Sequence, residues 1–211
     1  MTTRSYRSEL RTQQAELTRG LIAEAARSAF LEQGWAGTSI KNVAERAGVS
    51  DATVYAVFGS KAGLALSLVD TIDARADVPR VIAELEAASG DPAAQLGAFI
   101  DFDRRLYERA GDVVRLLVEV GRNQPELGKA AAEGRLRGER NRRRIFATWP
   151  ARAWRSGMDV ERAVDVYAVL VNIGTYDEAV EQRGWSPDRV QEWWHATLTE
   201  LLLKPPAPRS R

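Results

Sequence analysis

Residues Thr38 to Lys61 read TSIKNVAERAGVSDATVYAVFGSK, and they concentrate the side chains that could do chemistry in this chain. Set on a helix at about 100° per residue, Val54 and Phe58 fall on one side, with Ala52, Thr53, Tyr55 and Ala56 opposite. An ordinary solvated face favours Lys and Glu. Two alanines, a hydroxyl and a phenol suit the major groove of a nucleic-acid duplex instead. There, small side chains allow close approach, a methyl touches thymine, and hydroxyls reach phosphates or base edges. Lys61 opens the next helix after Gly59-Ser60, so its ammonium and that helix's N-terminus can face one phosphate.

Competing chemistry is thin elsewhere. The chain has no cysteine, which removes disulfides, thiolate zinc sites and cysteine nucleophiles. His195 is the one histidine, so no His-x-x-x-His metal pair exists and no metal is expected. Standing beside Trp193 and Trp194, it reads as a packed interface residue, and no serine or carboxylate set completes a triad. Asp101 and Asp103 diverge by about 200° on a helix and cannot share acid/base work. Gly59-Ser60-Lys61 lacks the spacing of a phosphate-cradling loop. The arginines from Arg135 to Arg144 are interleaved with Glu133 and Glu139, and read as a solvated, ion-paired face. The chain is expected not to be an enzyme and to need no cofactor.

The 24-residue segment needs elements that hold it, and the surrounding sequence supplies them. Thr38 is a natural N-cap for a short helix whose Ile40, Val43 and Ala44 face inward, and Ser50 caps the next. Gly48 stands where the backbone must turn through positive φ. Two short helices joined by a Gly-containing turn form a helix-turn-helix, with Val49, Val54 and Phe58 in its seam. Ahead of it, Leu17, Leu21, Ile22, Ala25, Ala26, Ala29 and Phe30 make an apolar face over a helix from about Ala15 to Gln33, stopped by Gly34.

Beyond residue 78, prolines punctuate further helices. Asp91-Pro92 opens one, Gly111-Asp112 another, Glu126 to about Trp154 a third that bends at Pro150. Asp159 to Glu181 and Ser186 to Leu203 complete the set. No strand pattern is present. The expected architecture is all-α, about nine helices. A flexible basic leader, 1–14, precedes a helix-turn-helix domain, 15–66, a helical bundle follows over 67–203, and the tail 204–211 frays. Arg4, Arg7 and Arg11 in the leader either enter a minor groove or belong to a disordered terminus.

Length, composition and charge agree with this reading without adding to it. The chain has 211 residues, 45% of them apolar, enough for a core in one or two domains. Net charge is +2 over residues 1–65 and −1 over residues 66–211, so polyanion affinity has to come from placement. No secretory signal and no membrane span of about 18 apolar residues are present, which implies a cytoplasmic protein.

Residues 12–66 resemble the DNA-binding domain of the TetR family of transcriptional regulators. The resemblance rests on the stripe ending in Phe30 and Gly34, on TSIKNVAERAGVS, on Thr53, Tyr55 and Phe58, and on Ser60, Lys61 and Leu64. The stretch RGWSPDRVQEWWHATLTELLL from Arg183 resembles the last helix of one branch of that family. The resemblance implies a homodimeric, ligand-responsive repressor on a palindromic double-stranded operator. Lys41, Thr53, Tyr55 and Lys61 are then expected at the DNA backbone, with Asp51, Ala52 and Ala56 near bases. Thr38 and Ser50 are expected among the DNA-binding residues as well.

The family often has histidine where Val57 stands here. Asp51 either accepts from a cytosine amine or caps its helix. A small-molecule effector pocket is expected among Phe99, Phe102, Leu106, Trp149 and Tyr167, suited to an apolar or aromatic ligand. A dimer interface is expected at Tyr176, Trp193, Trp194 and Leu198. A helical small-molecule binding protein without DNA function is the alternative.

Overall fold

The structure, a computed structural model, describes residues 3–205, with side chains from Leu10 onward. Its helices are α1 (Thr3–Gly37), α2 (Ile40–Ala47), α3 (Asp51–Phe58), α4 (Lys61–Ser67), α5 (Val69–Ala76) and α6 (Val78–Ala87). There follow α7 (Pro92–Val120), α8 (Pro125–Phe146), α9 (Val160–Leu170), α10 (Ile173–Asp177) and α11 (Pro187–Leu202). A 3₁₀ turn over Ala151–Ala153 and a π turn over Glu178–Gln182 fill two of the connections. Among the described residues no strand forms, and the all-α expectation holds; the one β-bridge joins Trp154 to Leu203.

Two compact units emerge. One holds the chain up to Thr71 together with Leu116–Ala130; the other holds Ile72–Arg115 and the chain from Ala131. The first unit therefore takes in a segment well beyond residue 66. In that segment Gly121 and Gly128 meet backbone to backbone, with the Gly128 Cα only 2.6 Å from where a Cβ on Gly121 would lie.

Helix α1 starts at Thr3, so the expected leader is helical in its backbone; the side chains of Arg4 and Arg7 lie outside the described residues. Gly34 does break the helix, at φ 66° and ψ −179°. The buried stripe of α1 is Ile22, Ala26, Ala29 and Phe30. Leu17 is 70% exposed and Leu21 61%. They form an outer stripe, and periodicity alone could not say which of two adjacent apolar stripes the short helices would cover.

In the second unit, α7 runs unbroken through Gly111. A glycine inside a helix costs about 1 kcal/mol but does not end it, and here it makes room for Ile173, whose Cδ1 lies 3.3 Å from a Cβ built at Gly111. Asp91 caps α7 as expected, accepting from the amides of Ala93 at 3.0 Å and Ala94 at 3.1 Å. Helix α8 ends at Phe146, before Pro150, rather than bending through it. The expected helix from Asp159 to Glu181 is interrupted at Val171, and Asn172 caps α10 by accepting from the Thr175 amide. Lys204 is tied down by its amide, which donates to the Ala153 carbonyl at 2.8 Å, so fraying does not begin there; residues 206–211 lie outside the described ones.

The core of this unit is aromatic. Phe99, Trp149 and Tyr167 meet in it, with Phe146 edge-on to Phe99 at 5.9 Å and tilted over Trp149 at 4.4 Å. Phe102 and Leu106 are half-buried and stand outside that cluster. The interface expectation needs correcting as well. Tyr176, Trp194 and Leu198 are buried within their own subunit, because α11 turns Val190, Trp194, Leu198 and Leu202 inward at helical spacing. Trp193 is half-buried, edge-on to Trp185 at 5.8 Å.

Candidate nucleic-acid interface

Helices α2 and α3 owe their bounds to small polar residues. Ser39, not Thr38, caps α2, its hydroxyl accepting from the Asn42 amide at 3.1 Å. Thr38 is 2% exposed, and its hydroxyl reaches the carbonyls of Ala29 at 3.0 Å and Gly34 at 2.8 Å. That hydroxyl pins the α1–α2 loop to α1 and cannot serve a duplex, which corrects the expectation for Thr38. Gly48 closes α2 in the left-handed region, at φ 67° and ψ 32°. The Val49 amide then donates back to Ala44 at 3.0 Å, the arrangement that satisfies a helix's last carbonyls.

Ser50 caps α3, accepting from the Thr53 amide at 3.2 Å and sharing a 2.9 Å hydrogen bond with the Thr53 hydroxyl. Ser50 therefore does the capping, and Asp51 stands exposed in the first turn, where the helix dipole favours an acid. Val54 is fully buried and anchors α3 on the seam formed by Val43 and Ala44. Around the helix from it, Ala52, Tyr55 and Ala56 are exposed, Tyr55 by 54%, and Thr53 is half-buried. Lys41 is exposed on α2.

Phe58 is only half-buried, and Arg19 of α1 covers its ring at 4.8 Å. Arg46 pairs with Glu32 at 2.7 Å, bracing α2 on α1 and holding the Glu32 carboxyl below its ordinary range.

Lys61 departs from its expected role. Its ammonium donates to the Trp35 carbonyl and sits 4.5 Å from the centre of the Trp35 ring. Partial burial lowers the pKa of its amine. Trp35 itself stacks on Phe30 at 5.5 Å. Sequence reasoning also missed Gly63: a Cβ there would collide with the Phe58 carbonyl, so only glycine lets α4 start this close behind α3. The signal was present in Ser60-Lys61-Ala62-Gly63, whose Ser60 hydroxyl accepts from the Gly63 amide at 2.9 Å.

The resulting surface is a short helix held from behind, with small side chains and a phenol projecting from its front. It can enter a groove about 12 Å wide and bring those groups within reach of base edges and phosphates. No metal-holding group of His, Cys, Asp or Glu occurs among the described residues. No single described helix is long and apolar enough to cross a membrane.

Residues 22–68 match the family described as bacterial regulatory proteins, tetR family. The chain is 40% identical over 60 residues to the HTH-type transcriptional regulator TtgR of Pseudomonas putida, covering 28% of this chain and 29% of that one. It is 32% identical over 108 residues to the HTH-type transcriptional repressor NicS of Pseudomonas putida, covering 51% and 50%. The match thus spans half or less of these relatives. A transcriptional regulator from Saccharomonospora viridis, solved in complex with choline, superposes with a TM-score of 0.75 at 17% identity, over 90% of this chain and 100% of that one. That likeness is one of fold.

Proposed function

We propose that this chain, whose residues 22–68 match the tetR family of bacterial regulatory proteins, is a ligand-responsive repressor that binds a palindromic double-stranded operator as a homodimer. The observation that carries the proposal is the exposed face of α3. Ala52, Tyr55 and Ala56 stand clear of the subunit, while Val54 behind them is fully buried. The residues proposed to meet DNA are Lys41, Thr53 and Tyr55 at the backbone, and Asp51, Ala52 and Ala56 near bases. Ser50 acts indirectly, by capping the helix that carries them.

A small-molecule effector bound in the second unit would favour dimers whose two α3 helices no longer match successive major grooves, about 34–36 Å apart. A coupling of about 1–3 kcal/mol changes operator affinity about 5–150-fold.

The test is footprinting of the purified protein on DNA upstream of its own gene. Protection should be symmetric and fall steeply with salt. Ala56→Glu should abolish it while the circular dichroism and the oligomeric state stay those of wild type. Salt-insensitive retention, or a footprint by Ala56→Glu equal to wild type, would point to the alternative, a helical small-molecule binding protein without DNA function.

A further inference from the structure

The aromatic core of the second unit contains a polar cluster that packing alone does not require. Asp103 of α7 is 3% exposed, and its Oδ2 accepts from the Tyr167 hydroxyl at 2.7 Å and from Arg142 Nη1 at 3.2 Å. The Arg142 guanidinium lies over the Tyr167 ring at 4.5 Å. Buried ion pairs of this kind are often replaceable by apolar residues without loss of stability.

The count of donors against acceptors is uneven here. Arg142 is more than nine-tenths buried, and its Nε has no protein partner. Trp194 is fully buried, and its indole N–H has none either. Tyr107, whose ring lies 6.2 Å from that of Trp194, reaches the Val171 carbonyl only at 3.4 Å. Asp103 is the one buried carboxylate of this cluster, and two donors already share its Oδ2. A core with surplus donors and aromatic walls is complementary to an acceptor carried on an apolar body.

We propose that Arg142, Tyr107 and Trp194 form the polar end of an effector site for an aryl carboxylate, an acceptor-only group when ionised. The inference rests on the reading of this protein as a ligand-responsive regulator and specifies its ligand class. A second anion beside Asp103 is tolerated if Asp103 takes up a proton from solvent. Burial already holds the Asp103 carboxyl above its ordinary range against the opposing Arg142 charge and Tyr167 hydrogen bond. The charged or titratable groups around this ion pair are Tyr107 on α7, Glu139 and Arg142 on α8, and Tyr167 on α9. Binding therefore takes up a proton and tightens as pH falls.

The test is calorimetric titration of the full-length protein, without DNA, with benzoate, 3-phenylpropanoate and indole-3-acetate. The matched controls are benzylamine, 3-phenylpropylamine and tryptamine. At least one carboxylate should bind, with an enthalpy that depends on buffer ionisation, and no amine should. Tyr107→Phe keeps its ring and loses only the hydroxyl, Trp194→Phe stays aromatic and loses the indole N–H, and each should weaken that carboxylate about tenfold. Binding by no carboxylate, equal binding by an amine, or wild-type affinity in both variants overturns the proposal. Footprinting of the same preparations keeps the outcomes separate. A footprint without carboxylate binding sinks only the ligand class; carboxylate binding without a footprint sinks the regulator reading.

Discussion

Lys61 and Trp35, 26 residues apart, are joined twice: the ammonium donates to the backbone carbonyl and lies over the indole ring. A lysine placed to greet a phosphate is thus engaged in clasping the start of α4 to the end of α1. The two roles have different signatures. Lys61→Met should lower the melting stability of the N-terminal unit by about 1 kcal/mol through the lost cation–π contact and hydrogen bond. The slope of log K against log salt should stay within half a unit of wild type. A slope reduced by about 0.9 would return Lys61 to the phosphates.

Gly63 is confined by the Phe58 carbonyl, and the strain a side chain would introduce falls on the α3–α4 turn. Gly63→Ala should cost about 2 kcal/mol or more, since backbone rather than a flexible side chain would have to move. Chemical denaturation measures the cost. Operator affinity should fall with it, because the same turn sets the angle of α3.

Thr38→Val keeps the shape of the side chain and removes the hydroxyl that ties the loop to α1. The Ala29 and Gly34 carbonyls lose the one hydroxyl proton they share, at a cost of about 1 kcal/mol. Relative affinities for operator variants should not change, as Thr38 is 2% exposed and reaches no surface. A changed base preference in a binding-site selection would contradict this.

The Asp103 carboxyl, held above its ordinary range by burial, links stability to pH. The native state takes up its proton at a higher pH than the unfolded chain does. Its contribution to stability therefore grows as pH falls through the native pKa and is complete below the ordinary carboxylate value of about 3.9. Asp103→Asn cannot titrate, so the stability of wild type relative to this variant should rise as pH is lowered from 7 toward 4. Urea midpoints across that range measure the difference, and a flat difference would remove the linkage.

Local features were legible in the sequence, long-range ones were not. Ile40, Val43 and Ala44 as the inner face of α2, the turn at Gly48, the caps at Ser50, Asp91 and Ser186, and the exposed Ala52, Tyr55 and Ala56 all follow from helical periodicity and the chemistry of helix ends. Those are interactions between residues at most a few positions apart. They hold wherever the segment is placed.

Tertiary structure alone decided which stripe of α1 is covered, that α7 passes through Gly111, and that Thr38 and Lys61 turn inward. It also brought Asp103, Arg142 and Tyr167 together across separations of 39 and 64 residues. Two apolar stripes on one helix are equivalent until a neighbour buries one of them. A hydroxyl or an ammonium has no assigned partner until packing brings a carbonyl or a carboxylate within about 3 Å, where an unmet buried donor costs more than a met one gains.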